Sequence, residues 1–342
     1  MPVEPIPSTT RIVTLAARAS GRPTRANFRL EEQPVAEPAP GQLLVRNIYM
    51  SVDPAMRGRM EPTEKHYTTN FTVGGPLDGS AVGRVVASRA DGIEPGGYVR
   101  HRLGWRDWAI VEAAAATAVD PGLAPLSTWL GVLGQTGFTA YAGLRRAGEL
   151  RTGDVVFVSA AAGAVGSSAG QFARLLGASR VIGSTGGPDK ARLLVDELGF
   201  DEGIDYRADL VGGLAAAAPD GIDLYFDNVG GACLQAAIDN MAFRGRIVAC
   251  GAVSLYNDER ATPGPSNLDL LFTKELTIQG VRSRAHRDCY PEFLDEVTPL
   301  VASESIRYAE TTVKGIENAP AAFIGLFSGD NLGKMLIEVA PA

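Results

Sequence analysis

The segment VVFVSAAAGAVGSSAGQFARLL, residues 155–176, constrains this chain more than any other. Val155, Val156, Phe157 and Val158 form an unbroken apolar run, the pattern of a parallel strand covered on both faces. Ala161, Gly163 and Gly166 follow in the spacing A-x-G-x-x-G. Gly163 has no Cβ to keep a ligand from the backbone, and Gly166 lets the next helix lie close to the strand. Residues from Ser167 onward read as helix, with Phe172, Leu175 and Leu176 on one face. A helix start behind a glycine turn attracts anions, because its open N–H groups and its dipole point at the same place. The stretch matches a dinucleotide-binding fingerprint with alanine in the first glycine position; a plain strand–turn–helix has the same outline.

At 342 residues the chain suits about two domains. With 45% hydrophobic and 21% charged residues it has ample core. A net charge of −7 provides no basic footprint, so no nucleic-acid partner is expected. No apolar run reaches membrane-spanning length, so no membrane partner is expected either. Residues 1–20 lack the charged leader and apolar block of a signal peptide. Cys233, Cys250 and Cys289 are odd in number and far apart, which fits a reducing cytoplasm better than a disulfide scaffold.

Residues 1 to about 125 are rich in short β patterns, expected at 11–16, 43–50, 80–87, 98–101 and 108–111, divided by proline and glycine turns. From about residue 130 strands and helices alternate. A helix is expected at 137–144, strands at 155–158, 180–183, 203–206, 223–229, 246–251 and 276–281, and further helices at 189–198 and 233–241. Repeated β-α-β units imply an α/β fold with a Rossmann doubly wound parallel sheet and right-handed crossovers. The end of the chain returns to the first texture, with strands at 308–312 and 334–339 around a helix at 319–327. The expected domains are 1–130 with 310–342, β-rich, and 131–309, nucleotide-binding, with the cleft between them as the default ligand site.

A site for NAD carries an acid at the end of the second strand, about 20 residues past the glycine turn, to hold the ribose 2′-OH. Here that region reads Gly183, Ser184, Thr185, Gly186, Gly187, Pro188, with no acid before Asp189. Lys190 opens the next helix, and Tyr206 and Arg207 follow the next short strand. Small polar residues with a cation suit a 2′-phosphate, so NADP is expected rather than NAD.

SVDPAMRGRM at 51–60, GFTAYAGL at 137–144, AAAGAVG at 160–166, FDNVGG at 226–231, CGAVSLYN at 250–257 and NLGKMLIEV at 331–339 resemble the medium-chain dehydrogenase/reductase superfamily. The likeness spans about residues 11–339. It is closest to the zinc-free, NADPH-dependent double-bond reductases, the prostaglandin, alkenal and curcumin reductase group. The resemblance implies a GroES-like β domain beside the Rossmann domain, and reduction of the C=C bond of α,β-unsaturated aldehydes and ketones. It places Ala162, Gly163, Ala164, Val165 and Gly166 at the pyrophosphate and Lys190 and Tyr206 at the 2′-phosphate. It puts Asn228, Cys250, Gly251, Val281, Arg282, Ser283 and Asn331 along the cofactor, and Tyr256 at the nicotinamide side as the candidate donor of a proton. Relatives of this group are commonly homodimers. Three cysteines cannot build a four-cysteine zinc lobe, and GPLDGSAVG at 75–83 has no histidine where zinc-dependent relatives carry Gly-His-Glu, so no metal is expected.

Two positions depart from the group. Ala55 stands where a tyrosine usually follows Asp-Pro, and Gln135 with Thr136 replaces Met-Pro. Both changes imply a wider or more polar substrate pocket. Tyr49 and Tyr67 remain as wall residues or alternative donors. Arg282 and Arg284, past the 276–281 strand, would suit a substrate bearing a carboxylate; solvation or pairing with Asp288 is the plainer alternative. A quinone reductase and an NADPH-binding sensor without turnover are the competing functions.

Overall fold

The computed structural model describes residues 5–62, 69–259 and 262–341. The N-terminal segment forms β1 (Thr9–Leu15), β2 (Phe28–Pro34), β3 (Gln42–Ser51), a short helix α1 (Met56–Arg59), β4 (Ala81–Ser88), β5 (Tyr98–His101), β6 (Trp108–Glu112) and β7 (Thr117–Val119). The middle of the chain forms α2 (Gln135–Ala142), β8 (Val155–Val158), α3 (Ala164–Leu175), β9 (Arg180–Thr185), α4 (Pro188–Asp196), β10 (Glu202–Asp205) and α5 (Tyr206–Ala217). It continues through β11 (Ile222–Asp227), α6 (Gly231–Asp239), β12 (Met241–Ala249), α7 (Leu270–Thr273), β13 (Thr277–Gly280) and α8 (Tyr290–Ala302). The chain closes with β14 (Glu310–Lys314), α9 (Ala319–Gly325) and β15 (Lys334–Glu338).

These elements sort into two compact units, Met1–Leu130 with Glu310–Ala342, and Gly131–Ala309. In the first, β14, β15, β3, β4, β5 and β7 lie side by side, with β6 also paired to β3, and β1 and β2 make a hairpin. Its main core gathers Val13, Leu15, Met50, Phe71, Leu77 and Ile337 around the fully buried Trp105, whose ring stacks on Phe28 at 6.1 Å. Lys334 of β15 is buried and joins its Nζ to Asp53 Oδ1 at 2.8 Å. Burial alone would raise the Asp53 carboxyl, but Lys334 and the Ser51 hydroxyl hold it below its ordinary value.

In the second unit a parallel sheet runs β10-β9-β8-β11-β12-β13. Counted from its first strand this is the order 3-2-1-4-5-6 of a doubly wound dinucleotide fold. The reason the central strands read as unbroken apolar runs is visible in β8. Phe157 stacks on Tyr225 at 4.8 Å toward α5 and α6, while Val156 and Val158 are equally buried. Elsewhere in this unit Phe138, Tyr141, Phe172 and Phe293 form a ring-on-ring cluster that joins α2, α3 and α8.

The expected α/β class with a Rossmann sheet is therefore present. Several local expectations shift. α3 begins at Ala164 and not at Ser167. Tyr206 opens a helix instead of closing a strand. α5 and α8 stand where no helix was expected, as do strands β2 and β7.

Candidate active site

In an open parallel sheet, ligands bind beyond the carboxyl ends of the strands, where the order reverses. That reversal falls between β8 and β11. After β8 the chain turns through Ser159–Gly163. Ala160 takes the left-handed bend at φ 48°, a conformation that costs a residue with a Cβ about 1–2 kcal/mol. A Cβ on Gly166 would lie 2.3 Å from the Ala160 carbonyl oxygen and 2.7 Å from Ala161 Cα. Glycine there is what allows α3 to start directly on the turn. Gly163 precedes the helix and brings no side-chain cap, so nothing of its own covers the first N–H groups of α3. This backbone-lined helix start fits a pyrophosphate.

Across the reversal, the buried Asp227 ends β11 and ties the neighbouring loops together. Its Oδ1 accepts the Val229 and Gly230 N–H groups, both at 2.9 Å, and the Tyr225 hydroxyl at 2.6 Å. Ser159, from the β8 turn, accepts the Asn228 N–H at 3.0 Å through its hydroxyl. The Asn228 side chain donates back to the Ser159 carbonyl at 2.9 Å. Gly230 and Gly231 take φ values of 70° and 53°, which a side chain would resist. The Asp227 carbonyl then accepts the N–H groups of Cys250 and Gly251 at the end of β12. Burial pushes the Cys250 thiol up to about 12 and that of Cys233 up to about 11, so neither is a thiolate near neutrality. The sequence pointed to Asn228, Cys250 and Gly251 in this knot, but not to Asp227 or Ser159. The signal for Asp227 was the acid-Asn pair one residue ahead of two glycines, a turn that an acid side chain stabilises.

Tyr256 is half-buried in the loop after β12. Its hydroxyl lies 3.5 Å from the Ala252 nitrogen, and a Cβ on Gly251 would come within 3.3 Å of it. Val281, Arg282 and Ser283 follow β13. Gln135, at the start of α2, donates to the Ser283 hydroxyl. Arg282 and Arg284 are exposed, and Asp288 faces Arg146 at 3.6 Å.

At the other side of the reversal, β9 ends at Thr185 and α4 begins at Pro188, with Lys190 in its first turn. Asp205 ends β10, and its Oδ1 accepts the Gly187 N–H at 2.9 Å and the Arg207 N–H at 3.1 Å. These two backbone donors, Gly187 first, hold the Asp205 carboxyl below its ordinary value. Tyr206 is exposed at the start of α5. Every expected cofactor residue of this unit thus lies just past a strand of one sheet.

The remaining expected residues belong to the first unit. Tyr49 lies in β3, its hydroxyl pushed up by burial and then by Glu338 and Glu310. Ala55 precedes α1, and Asn331 donates from its side chain to the Gly333 carbonyl at 2.7 Å in the turn before β15. Tyr67 lies outside the described residues. Among the described residues no group of three or more His, Cys, Asp and Glu is arranged to hold a metal, and no helix is long and apolar enough to cross a membrane.

A 3-2-1-4-5-6 sheet with a backbone-lined helix start at its reversal is that of a dinucleotide-binding oxidoreductase. Residues 11–119 match the family model described as N-terminal domain of oxidoreductase, and residues 164–298 the one described as zinc-binding dehydrogenase. The chain is 42% identical to the NADPH-dependent curcumin reductase of Escherichia coli over 336 residues, covering 95% of this chain and 96% of that one. It is 38% identical to the NADP-dependent 2-alkenal reductase of Nicotiana tabacum, covering 96% and 97%. The crystal structure of CurA from Vibrio vulnificus in complex with NADPH superposes with a TM-score of 0.91 at 38% identity, covering 97% and 100%. The chain belongs to the medium-chain dehydrogenase/reductase family, among its NADP-dependent oxidoreductases of the alkenal, curcumin and prostaglandin reductase group.

Proposed function

We propose that this protein reduces the C=C bond of α,β-unsaturated aldehydes and ketones. The observation that carries the reading is Tyr256, whose hydroxyl lies against Gly251 just past β12 in a chain of this reductase group. Ala162–Gly166, Lys190, Tyr206, Asn228, Cys250, Gly251, Val281, Arg282, Ser283 and Asn331 would hold NADPH. NADPH, when bound, supplies a hydride to the β-carbon of the substrate. Negative charge then grows on the carbonyl oxygen, and the α-carbon needs a proton. Tyr256 answers both needs, as a hydrogen-bond donor to that oxygen and as the holder of a proton at its hydroxyl. Tyr49, Ala55, Tyr67, Gln135, Arg282 and Arg284 are the proposed substrate-side residues.

No metal enters this scheme. Supporting that, Cys233 and Cys289 are buried thiols, and His101 is already engaged, its Nδ1 accepting the Leu103 N–H. The same three free thiols suit the reducing cytoplasm, where we place the enzyme.

The test is NADPH oxidation with a panel of 2-alkenals, enones and quinones. Enones and alkenals should turn over, EDTA should leave the rate unchanged, and Tyr256→Phe should lower kcat by about ten- to a thousandfold. Turnover of quinones alone would reassign the protein as a quinone reductase. NADPH binding with no turnover would make it a sensor.

We also infer that the working form is a homodimer joined along β13. That strand ends the sheet with all four residues exposed, Ile278 among them, and Phe272 nearby is 76% exposed. An unpaired apolar edge invites a second strand. Light scattering should give twice the chain mass, falling toward one chain in Ile278→Lys; a monomeric wild type would end the idea.

A further inference from the structure

β10 lies beside β9 in parallel register, with Asp205 opposite Thr185. Residues 206 and 207 therefore emerge next to the turn that starts α4. Arg207 leans onto that turn. A Cβ on Gly186 would lie 3.2 Å from its Cζ, Nε and Nη2 atoms alike. Asp205 fixes both sides at once, because one carboxylate oxygen accepts the Gly187 N–H and the Arg207 N–H. Among the described residues no carboxylate lies within ion-pair distance of the Arg207 guanidinium, whose nearest aromatic partner is the Tyr206 ring at 5.8 Å.

The arrangement is thus an exposed planar fork, held over a glycine turn at a helix start, with the Asp205 charge near it but, among the described residues, no carboxylate in ion-pair contact. Asp205, the carboxylate that accepts from this turn, is occupied by two backbone donors. It is not extended to a ribose hydroxyl in the manner of an NAD site. Lys190, a single flexible point charge, comes from the first turn of α4. A guanidinium can hold two phosphate oxygens in parallel, which an ammonium cannot do.

We propose that Arg207 is a specificity-determining contact to the 2′-phosphate of NADP, with Asp205 as the residue that positions it. This rests on the reading that the adenosine end of the cofactor lies at the β9–α4 turn. It predicts that discrimination between NADPH and NADH depends on Arg207 at least as much as on Lys190.

The test measures binding and needs no unsaturated substrate, so its failure is separable from failure of the enone assay. Wild type, Arg207→Ala, Arg207→Gln, Arg207→Lys and Lys190→Ala are titrated with 2′,5′-ADP and 5′-AMP by calorimetry, and with NADPH and NADH by fluorescence. Arg207→Ala should raise Kd for 2′,5′-ADP and NADPH by about ten- to a hundredfold, the range for a lost charged hydrogen bond. Kd for 5′-AMP and NADH should stay within about twofold. Arg207→Gln, which keeps most of the stem, should show the same selective loss, and Arg207→Lys should recover only part of the affinity. An unchanged Kd for 2′,5′-ADP in Arg207→Ala, or equal weakening of 5′-AMP, would overturn the proposal.

Discussion

The two corners of the sheet proposed to face the nucleotide are built in opposite ways. The β8–α3 turn and the β11 loop are made of buried backbone, pulled tight by an absent side chain at Gly166 and by the buried Asp227. The β9–α4 corner is exposed and side-chain built, assembled from two strand ends by Asp205. The first corner resists change at two points, because Gly166 leaves no room for a Cβ and Asp227 is buried among its donors. The second is exposed, and on the proposal above it sets which nucleotide is preferred. Stability and recognition would then be partitioned between the corners.

That contrast can be broken most forcefully at Asp227. Asp227→Ala would leave the Val229 and Gly230 N–H groups and the Tyr225 hydroxyl without their acceptor in a buried site. The expected cost is on the order of 3 kcal/mol of unfolding free energy, read by denaturant titration. Nucleotide binding should weaken for NADPH and NADH together. A loss below 1 kcal/mol would mean that the knot is dispensable.

Gly166→Ala should come next. The added Cβ would meet Ala160 O at 2.3 Å, so α3 must lift off the turn. Overpacking of this kind costs about 1–3 kcal/mol. Again both nucleotides should suffer alike; selective loss of NADPH would contradict the division between the corners.

The smallest effect belongs to Asp205→Ala. The carboxyl of Asp205 is held low by Gly187 and Arg207 N–H groups, so its contribution is full above the ordinary aspartate value of about 3.9 and fades as pH falls through the lower folded value. Melting temperatures of wild type and variant should therefore differ slightly at neutral pH and converge in acid. NADPH selectivity should drop while NADH binding holds. A difference in melting temperature that grows on acidification would reverse the sign of this argument.

At the buried corner the strand and glycine spacing were legible in the amino-acid order but Asp227 was not; at the exposed corner the side chains Lys190, Tyr206 and Arg207 were legible but their arrangement was not. Val155–Val158 and the Gly163–Gly166 spacing are local patterns whose meaning does not depend on distant chain. The start of α3 was misplaced by three residues because Val165 and Gly166 are weak helix formers, and packing on the turn decides instead. α5 escaped notice since its Ala- and Gly-rich sequence shows no clear apolar stripe and breaks at Asp209. α8 carries Pro291 and Pro299, which argue against a helix until one sees that Pro291 sits in the first turn. The β7 segment is only three residues long, too short to show a period. Arg207 was visible as a cation after a strand. Its seat on Gly186 depends on parallel pairing of β10 with β9, which no local pattern announces.

The return of the chain to its first unit has a consequence for biosynthesis. β3 lies between β4 and β15 in the sheet, and Ser51 pairs with Leu336, about 285 residues later. At roughly 5–20 residues per second, β3 emerges from the ribosome some 15–60 s before β15 exists. For that interval one edge of β3 has no β15 to pair with, and Asp53 waits for the ammonium of Lys334. The second unit has all its strands between residues 155 and 280 and ends at Ala309, whereas β15 begins only at Lys334. β15 is the last strand in the chain, so its pairing with β3 must wait until nearly all of the protein has been synthesised. A chain truncated before residue 334 would keep every strand of the second unit but leave the β3 edge at Tyr49–Ser51 without its partner, which is the state that chaperones and proteases would meet.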